Sequence, residues 1–395
     1  MKVFHCDHCQ QLVFFENVQC TSCLRRLAYL PDLDGVASLD DAGDGSWTSP
    51  WSRAAGRRYR LCQNYSELGI CNWAVSADDP NPLCKSCRLT EIIPNLARPG
   101  FEQGWRKLES AKRRLICGLS TLGLPAPCKL EDPDNGVTFQ FVSDVDSEPG
   151  RPVLTGHDNG IIVVNIAEAD DAERERRRLQ LHEPYRTLLG HFRHEIGHYY
   201  WDRLVRDSPR LEDFRRLFGD ERADYAQALQ SYYDQGGPPP DWQRNYISAY
   251  ATCHPWEDWA ESWAHYLHMT DTLETAIECG VSITPPNPSD PALAHDSTQV
   301  LESAVSFNRM IEEWFPVTYV LNNLNRGMGL PDAYPFVLQP SAIDKLRFIH
   351  DVIHSPRPAP IQEPVPVHEP APDNQVPPDE LPAPGQQTAP PPPPG

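Results

Sequence analysis

Several features are scarce or missing in this 395-residue chain, and each absence narrows the class of protein. No stretch reaches the roughly 18 consecutive apolar residues of a membrane span, so we expect no membrane-spanning segment. The opening residues, MKVFHCDHCQ, contain no apolar core of the kind that a secretory signal requires, so we expect a cytoplasmic protein. Basic residues are outnumbered by acidic residues. The resulting net charge of −20 argues against a nucleic-acid partner, because the protein would repel its phosphates.

The end of the chain lacks what a folded domain needs. Residues 356–395 contain 16 prolines and no aromatic residue, so they can neither form a helix nor bury a core. We expect a disordered tail; as an alternative, its PPPPPG ending docks in an aromatic groove of a protein partner. The remaining length corresponds to about two or three domains.

Cysteine, by contrast, is abundant, and a reducing cytoplasm favours metal ligands and buried thiols over disulfides. Two CxxC pairs open the chain, and each can place two thiolates on one tetrahedral metal, which predicts a structural zinc ribbon over residues 1–31. The four cysteines are Cys6, Cys9, Cys20 and Cys23. His5 and His8 are alternative ligands.

Residues 32–57 begin with a run of aspartates among Gly, Ser and Ala, and we interpret them as a solvated linker.

A second cysteine group lies within residues 58–100. Its members are Cys62, Cys71, Cys84 and Cys87, of which the last two form a CxxC pair. Four cysteines within 26 residues among turn-forming residues predict a second structural zinc site. The alternative is that Cys62 and Cys71 are ordinary buried thiols. Both zinc sites would be closed by four protein ligands, which leaves no position for substrate or water.

Longer elements are predicted from residue 101 onward. The β-branched segments VTFQFVSDV and GIIVVNIAEA are typical of strands, and Pro184 suits the first turn of a helix that runs through HFRHEIGHYYWDRL. We therefore expect an α+β domain over residues 101–355.

That helix carries a possible metal-binding motif. His194 and His198 are one turn apart on the same face, so both imidazoles can bind one metal. Glu195 is rotated by about 100 degrees from His194 and can reach a water at the metal without being a ligand. The motif HEIGH also occurs by chance in helices, and a zinc enzyme needs a third protein ligand.

The third ligand has two potential sources. An extended HExxHxxGxxH motif is excluded, because Trp201 and Leu204 stand where it needs glycine and histidine. The later segment HPWEDWAESWAHYLHM places Glu257 and Glu261 on one helical face. Carboxylates beside tryptophans are costly to bury unless they are paired or metal-bound, although a solvated acidic face is the alternative. Helical spacing does not choose Glu257 over Glu261.

Together these segments carry a resemblance. CNWAV, CKSCR, GIIVVNIAEADDAERER, HFRHEIGHYYWD and HPWEDWAESWAHYLH are similar to bacterial zinc-binding metallopeptidases that begin with a zinc ribbon. The active-site half more distantly resembles gluzincin-like HExxH...E enzymes of the anthrax lethal factor type, in which Tyr, six residues and Glu-x-x-Ala-Glu form the second motif. Tyr250 and the segment Glu257-Asp-Trp-Ala-Glu261 match that motif. The resemblance implies that Glu257 is the third ligand, Glu261 orients a ligand histidine, and Tyr250 stabilises the transition state.

The resemblance also implies a fold and a function. The fold would be a zincin-like domain behind two zinc modules, with three zinc ions, one catalytic and two structural. The catalytic zinc would activate a water for attack on a protein or peptide substrate, with Glu195 as general base, and GIIVVNIAEA would be the sheet edge that binds this substrate. The ribbons or the tail would recognise a substrate or partner. One alternative is a non-enzymatic adaptor whose ribbons bind protein or nucleic acid beside a metal-stabilised scaffold. Another is a regulated protease whose ribbons select one substrate.

Overall fold

The computed structural model describes residues 2–146, 153, 155–180, 187–287, 293–296 and 306–355, with the backbone alone at 177–180. The predicted proline-rich tail, residues 356–395, lies outside the described residues. Within the described ranges, none of the helices combines the length and apolar character needed to cross a bilayer.

Short antiparallel strands build the amino-terminal half. They are β1 Phe4–His5, β2 Leu12–Val13, β3 Arg26–Leu30, β4 Gly35–Asp41, β5 Trp47–Thr48, β6 Tyr59–Leu61 and β7 Ala74–Ser76. β1 and β2 form a hairpin, and β3 to β7 form one antiparallel sheet in sequential order. A one-turn helix, α1 Gln63–Ser66, follows β6.

Residues 32–57, predicted to be a solvated linker, instead contain β4 and β5 and complete this sheet. Val36 and Leu39 of β4 are buried. The aspartates that suggested a linker pair with basic side chains 14 to 32 positions away, which local composition could not reveal. These pairs are Asp34 with Lys2, Asp40 with Arg25 and Asp44 with Arg58.

A second sheet belongs to the carboxyl-terminal half. Its strands are β8 Thr90–Ile92, β9 Thr138–Val142, β10 Gly156–Asp158 and β11 Ile161–Asn165. The strand order is β10-β11-β9-β8, with β8 and β11 parallel to β9 and β10 antiparallel to β11. β8 lies within residues 58–100, the span predicted for the second cysteine module, but it hydrogen-bonds to β9.

The segment GIIVVNIAEA was predicted to be the substrate-binding sheet edge, and this prediction is wrong. It forms β11, which lies between β9 and β10, and then a short 3-10 helix over Ile166–Ala169. The edge strands of this sheet, as far as the structure describes it, are β8 and β10, each of three residues and too short for its sequence to stand out. Ile162 and Val164 of β11 are buried, as expected for an interior strand.

The described residues after the second cysteine group are mostly helical. The helices are α2 Phe101–Thr121, α3 Asp171–Gln180, α4 Leu188–Leu204, α5 Leu211–Phe218, α6 Tyr225–Asp234, α7 Pro255–Glu278, α8 Phe307–Gly327 and α9 Pro340–His354. α4 begins after the predicted Pro184, which lies outside the described residues. Thr187 caps it by accepting a hydrogen bond from the Gly190 amide at 3.0 Å.

A close contact between α4 and α7 positions the site. A Cβ atom added to Gly197 would lie 3.2 Å from both Ala260 Cα and Trp263 Cβ, so any side chain here would require the helices to move apart by a few tenths of an ångström. The Trp259 indole donates a hydrogen bond to the Gly197 carbonyl at 2.8 Å. This contact brings the HEIGH motif of α4 against the glutamates of α7.

Candidate metal centre and active site

Two histidines of α4 face each other at the centre of the site. The Nε2 atoms of His194 and His198 are 3.2 Å apart, because the residues are separated by one helical turn. Both side chains are buried.

Glu257 joins them from the first turn of α7. His254 caps this helix by accepting a hydrogen bond from the Trp256 amide at 3.1 Å, which fixes where the helix begins. Glu257 Oε2 then lies 3.0 Å from His194 Nε2, and Oε1 lies 3.6 Å from His198 Nε2. The structure thus places Glu257, not Glu261, against both Nε2 atoms.

The geometry of these three residues fits zinc. Ligand atoms bound at about 2.0 to 2.1 Å in a tetrahedral site lie about 3.3 Å apart, and the two separations from His194 Nε2, 3.0 Å to Glu257 Oε2 and 3.2 Å to His198 Nε2, are close to that value. Among the described residues, Glu257 Oε2 and His198 Nδ1 are buried without a hydrogen-bond partner. Because a buried carboxylate oxygen without a partner is costly, a cation held by Glu257 Oε2 and the two histidine Nε2 atoms would stabilise the site.

The charges around the histidines favour a cation. Burial on its own lowers the pKa of His194, but the adjacent carboxylates of Glu257 and Glu261 raise that pKa well above its usual value. Burial raises the pKa of Glu257, yet the two histidines hold it well below the usual range. The carboxylates therefore stay ionised and hold positive charge between them.

Glu261 lies one turn after Glu257 and contacts the outer side of His194. Its Oε1 accepts a hydrogen bond from His194 Nδ1 at 2.6 Å, and Ser248 Oγ donates to its Oε2 at 2.6 Å. A carboxylate on Nδ1 fixes the imidazole tautomer and leaves Nε2 with a lone pair for a metal.

Glu195 and Tyr250 lie beside the three converging residues. Glu195 is buried, and burial raises the pKa of its carboxyl. Tyr250 is in a 3-10 turn just before α7, with its ring centroid 6.0 Å from that of His194. Burial and the charge of Glu257 raise the pKa of Tyr250 well above its usual value, so its hydroxyl remains a donor at neutral pH.

Four further residues of the site were missed by the sequence analysis. Tyr225 donates a hydrogen bond to Glu257 Oε1 at 2.8 Å, and Ser248 binds Glu261 as described. The ring of Trp256 packs 4.1 Å from that of His198, and the ring of His157 of β10 stacks on that of His198 at 6.2 Å. Trp256 lies within the segment HPWEDWAESWAHYLHM but was not assigned to the site. No spacing pattern indicated Tyr225, Ser248 or His157.

The eight predicted ribbon cysteines form two separate clusters. Sulfurs bound to zinc at about 2.3 Å lie about 3.8 Å apart in a tetrahedral site. The observed separations are 3.6 Å for Cys6–Cys23, 3.6 Å for Cys9–Cys20 and 3.7 Å for Cys71–Cys84. The remaining members, Cys62 and Cys87, complete the second cluster. His5 and His8 are not part of the first cluster.

Fold and site together define a two-part protein with cysteine-rich zinc modules in front of an HExxH-and-glutamate centre. The chain belongs to the family described as "Putative zinc-binding metallo-peptidase", whose model matches residues 101–352, and residues 3–98 match a zinc-ribbon domain. The predicted family and the mixed α and β fold class are thereby confirmed.

Similarity also extends over most of the chain. Uncharacterized proteins of Mycobacterium bovis and Mycobacterium tuberculosis are 43% identical over 359 residues, which covers 91% of this chain and 97% of each relative. No solved structure matches the chain.

Proposed function

We propose that the protein is a zinc peptidase that hydrolyses peptide bonds, with the catalytic zinc held by His194, His198 and Glu257. The observation that carries the proposal is the convergence of these three ligand atoms beside the buried carboxylate of Glu195. The proposed ligand set is a histidine pair followed by a glutamate on a later helix, as the gluzincin-like resemblance implies. Zinc in such a site supplies Lewis-acid chemistry, polarising a carbonyl and making water nucleophilic at neutral pH.

Glu195 is the general base of this proposal. Burial raises the pKa of its carboxyl towards neutral pH, so the group can both accept and return a proton. Glu195 takes a proton from the water that attacks the carbonyl carbon. As the C–N bond breaks, Glu195 gives that proton to the leaving amine nitrogen.

Two further residues complete the chemistry. Tyr250 donates its hydroxyl proton in a hydrogen bond to the oxyanion that forms at the former carbonyl oxygen. Glu261 holds His194 in the orientation that directs Nε2 into the site.

The zinc modules are proposed to recognise a protein substrate or partner. Each cysteine cluster offers four sulfur ligands to one metal, which would leave no open position for chemistry. The first module instead presents large apolar side chains to solvent, with Leu12, Phe14 and Leu24 being 62%, 78% and 67% exposed. We further propose a reducing compartment such as the cytoplasm, because all twelve cysteines are free of disulfides.

The rival function is an adaptor that uses the metal centre only as a scaffold. A scaffold would gain nothing from a buried carboxylate at position 195 that does not bind the metal, and burying that carboxylate is costly. The adaptor function therefore does not account for Glu195.

Replacing Glu195 by Gln tests the proposal. We expect Glu195→Gln to retain zinc and to lose at least about a hundredfold in the rate of hydrolysis of a quenched-fluorescent peptide mixture. Glu212→Gln on α5, an exposed position, is the matched control and should cut at the unsubstituted rate. Equal cleavage by the Glu195→Gln protein would refute the assigned base.

A further inference from the structure

The helix α6 contributes one hydroxyl to the metal centre. Tyr225, its first residue, donates to Glu257 Oε1 at 2.8 Å, while Glu257 Oε2 lies 3.0 Å from His194 Nε2. The hydrogen bond engages one carboxylate oxygen and leaves the other directed at the histidines.

We propose that Tyr225 is a positioning residue that holds Glu257 so that a metal binds through Oε2 alone. The inference rests on the zinc site proposed above. A carboxylate whose second oxygen is hydrogen-bonded is fixed in rotation, and it does not occupy the position that water and substrate need. Such outer partners of metal ligands typically contribute about 10- to 100-fold in metal affinity or activity.

The start of α6 contacts the first turn of α7, which contains Glu257. His254 Nδ1 accepts the Trp256 amide, so its Nε2 carries the proton and donates to the Ala223 carbonyl at 3.0 Å. The Tyr225 ring packs edge-on against the rings of His254 and Trp256, at centroid distances of 5.3 and 6.2 Å. One capping histidine thus sets the beginning of α7 and the place of Tyr225 together.

The rest of α6 is not held in place by burial in the hydrophobic core. None of its residues is buried, and Tyr225 itself is 38% exposed. A second aromatic contact joins Tyr232 to Tyr250 at 6.3 Å, so α6 contacts both a proposed ligand and the proposed oxyanion donor. Because these contacts are made at the site, binding of a metal by Glu257 and the position of α6 stabilise each other.

The test is the zinc affinity of the Tyr225→Phe protein, measured in the full chain by competition with a graded series of chelators. We expect the zinc at the histidine centre to bind about 10- to 100-fold more weakly, while zinc at the two cysteine sites is unchanged and serves as an internal control. Tyr233→Phe, on the same helix with a side chain that is 49% exposed, is the matched variant and should bind zinc normally. With Co²⁺ at the histidine centre and zinc retained at the cysteines, the visible absorption bands should shift in Tyr225→Phe alone, because they report ligand geometry.

The outcomes separate the two proposals. Weaker binding with a changed Co²⁺ spectrum in Tyr225→Phe, at an unaltered melting temperature, supports the inference. Equal affinity and an identical spectrum overturn the role of Tyr225 and leave the peptidase proposal standing. Failure of the unsubstituted protein to bind a metal at the histidine centre overturns the proposed function itself.

Discussion

His265 lies one turn beyond Glu261 on α7 and is buried. Its Nδ1 and the Tyr334 hydroxyl are 2.7 Å apart, and its ring packs against Phe336. Burial lowers the pKa of His265 to about 4, so the imidazole is neutral in the folded protein at neutral pH.

This residue should make the protein sensitive to acid. An unfolded histidine binds a proton near pH 6.5, whereas folded His265 does so near pH 4, so the unfolded state binds more protons between these values. The contribution of His265 to stability is therefore complete above pH 6.5 and is lost as the pH falls towards 4, at up to about 1.4 kcal/mol per unit. We expect His265→Asn to reduce the slope of unfolding free energy against pH in this window and to leave it unchanged above the window. Parallel curves for the two proteins from pH 6.5 to 4 would contradict this account.

Single residues differ in how far their sequence context predicts them. His194 and His198 are four positions apart on one helix, so helical geometry alone places them together. Tyr225 reaches Glu257 across 32 positions and Ser248 reaches Glu261 across 13. Those contacts depend on how α6 and the turn before α7 pack, and no local periodicity encodes that.

Among the elements, the pair α4 and α7 determines the site. Gly197→Val would place a branched side chain against the backbone of Ala260 and the ring of Trp263, both fully buried. We expect a loss of about 1 to 3 kcal/mol in unfolding free energy from overpacking and weaker zinc binding at the histidine centre, measured by denaturant unfolding and chelator competition. Gly327→Val, at a glycine with open space around it, is the control and should change stability by less than about 1 kcal/mol. Equal effects of the two substitutions would contradict the close contact.

Long helices were easier to predict than short strands. Helices over HEIGH and over the two glutamates were expected from the sequence, and α4 and α7 carry these residues. β4, β5 and β10 are defined by the partners to which they hydrogen-bond, and a run of aspartates concealed the first of them. The linker prediction and the sheet-edge prediction were therefore wrong for the same physical reason, because strand pairing joins residues that are far apart in the sequence.

In the molecule as a whole, the zinc modules and the peptidase half pack against each other through α2. Tyr29 of β3 contacts the Cys117 sulfur at 3.4 Å, and Arg114 pairs with Glu16. Arg113 is buried, and although burial lowers its pKa, the charges of Cys71 and Glu109 raise it. The cysteine spacing predicted the two cysteine clusters that the structure forms, but it could not predict that they pack against the helix that follows.

The central claim is that a metal site exists beside the two cysteine clusters and depends on the histidines of α4. Zinc per chain, measured by elemental analysis on the unsubstituted protein and on a folded His194→Ala, His198→Ala double variant, tests it most directly. The three clusters of ligand atoms predict three zinc ions, which should fall to two in the double variant. An unchanged zinc count would mean that the histidines bind no metal, and it would favour the adaptor over the peptidase.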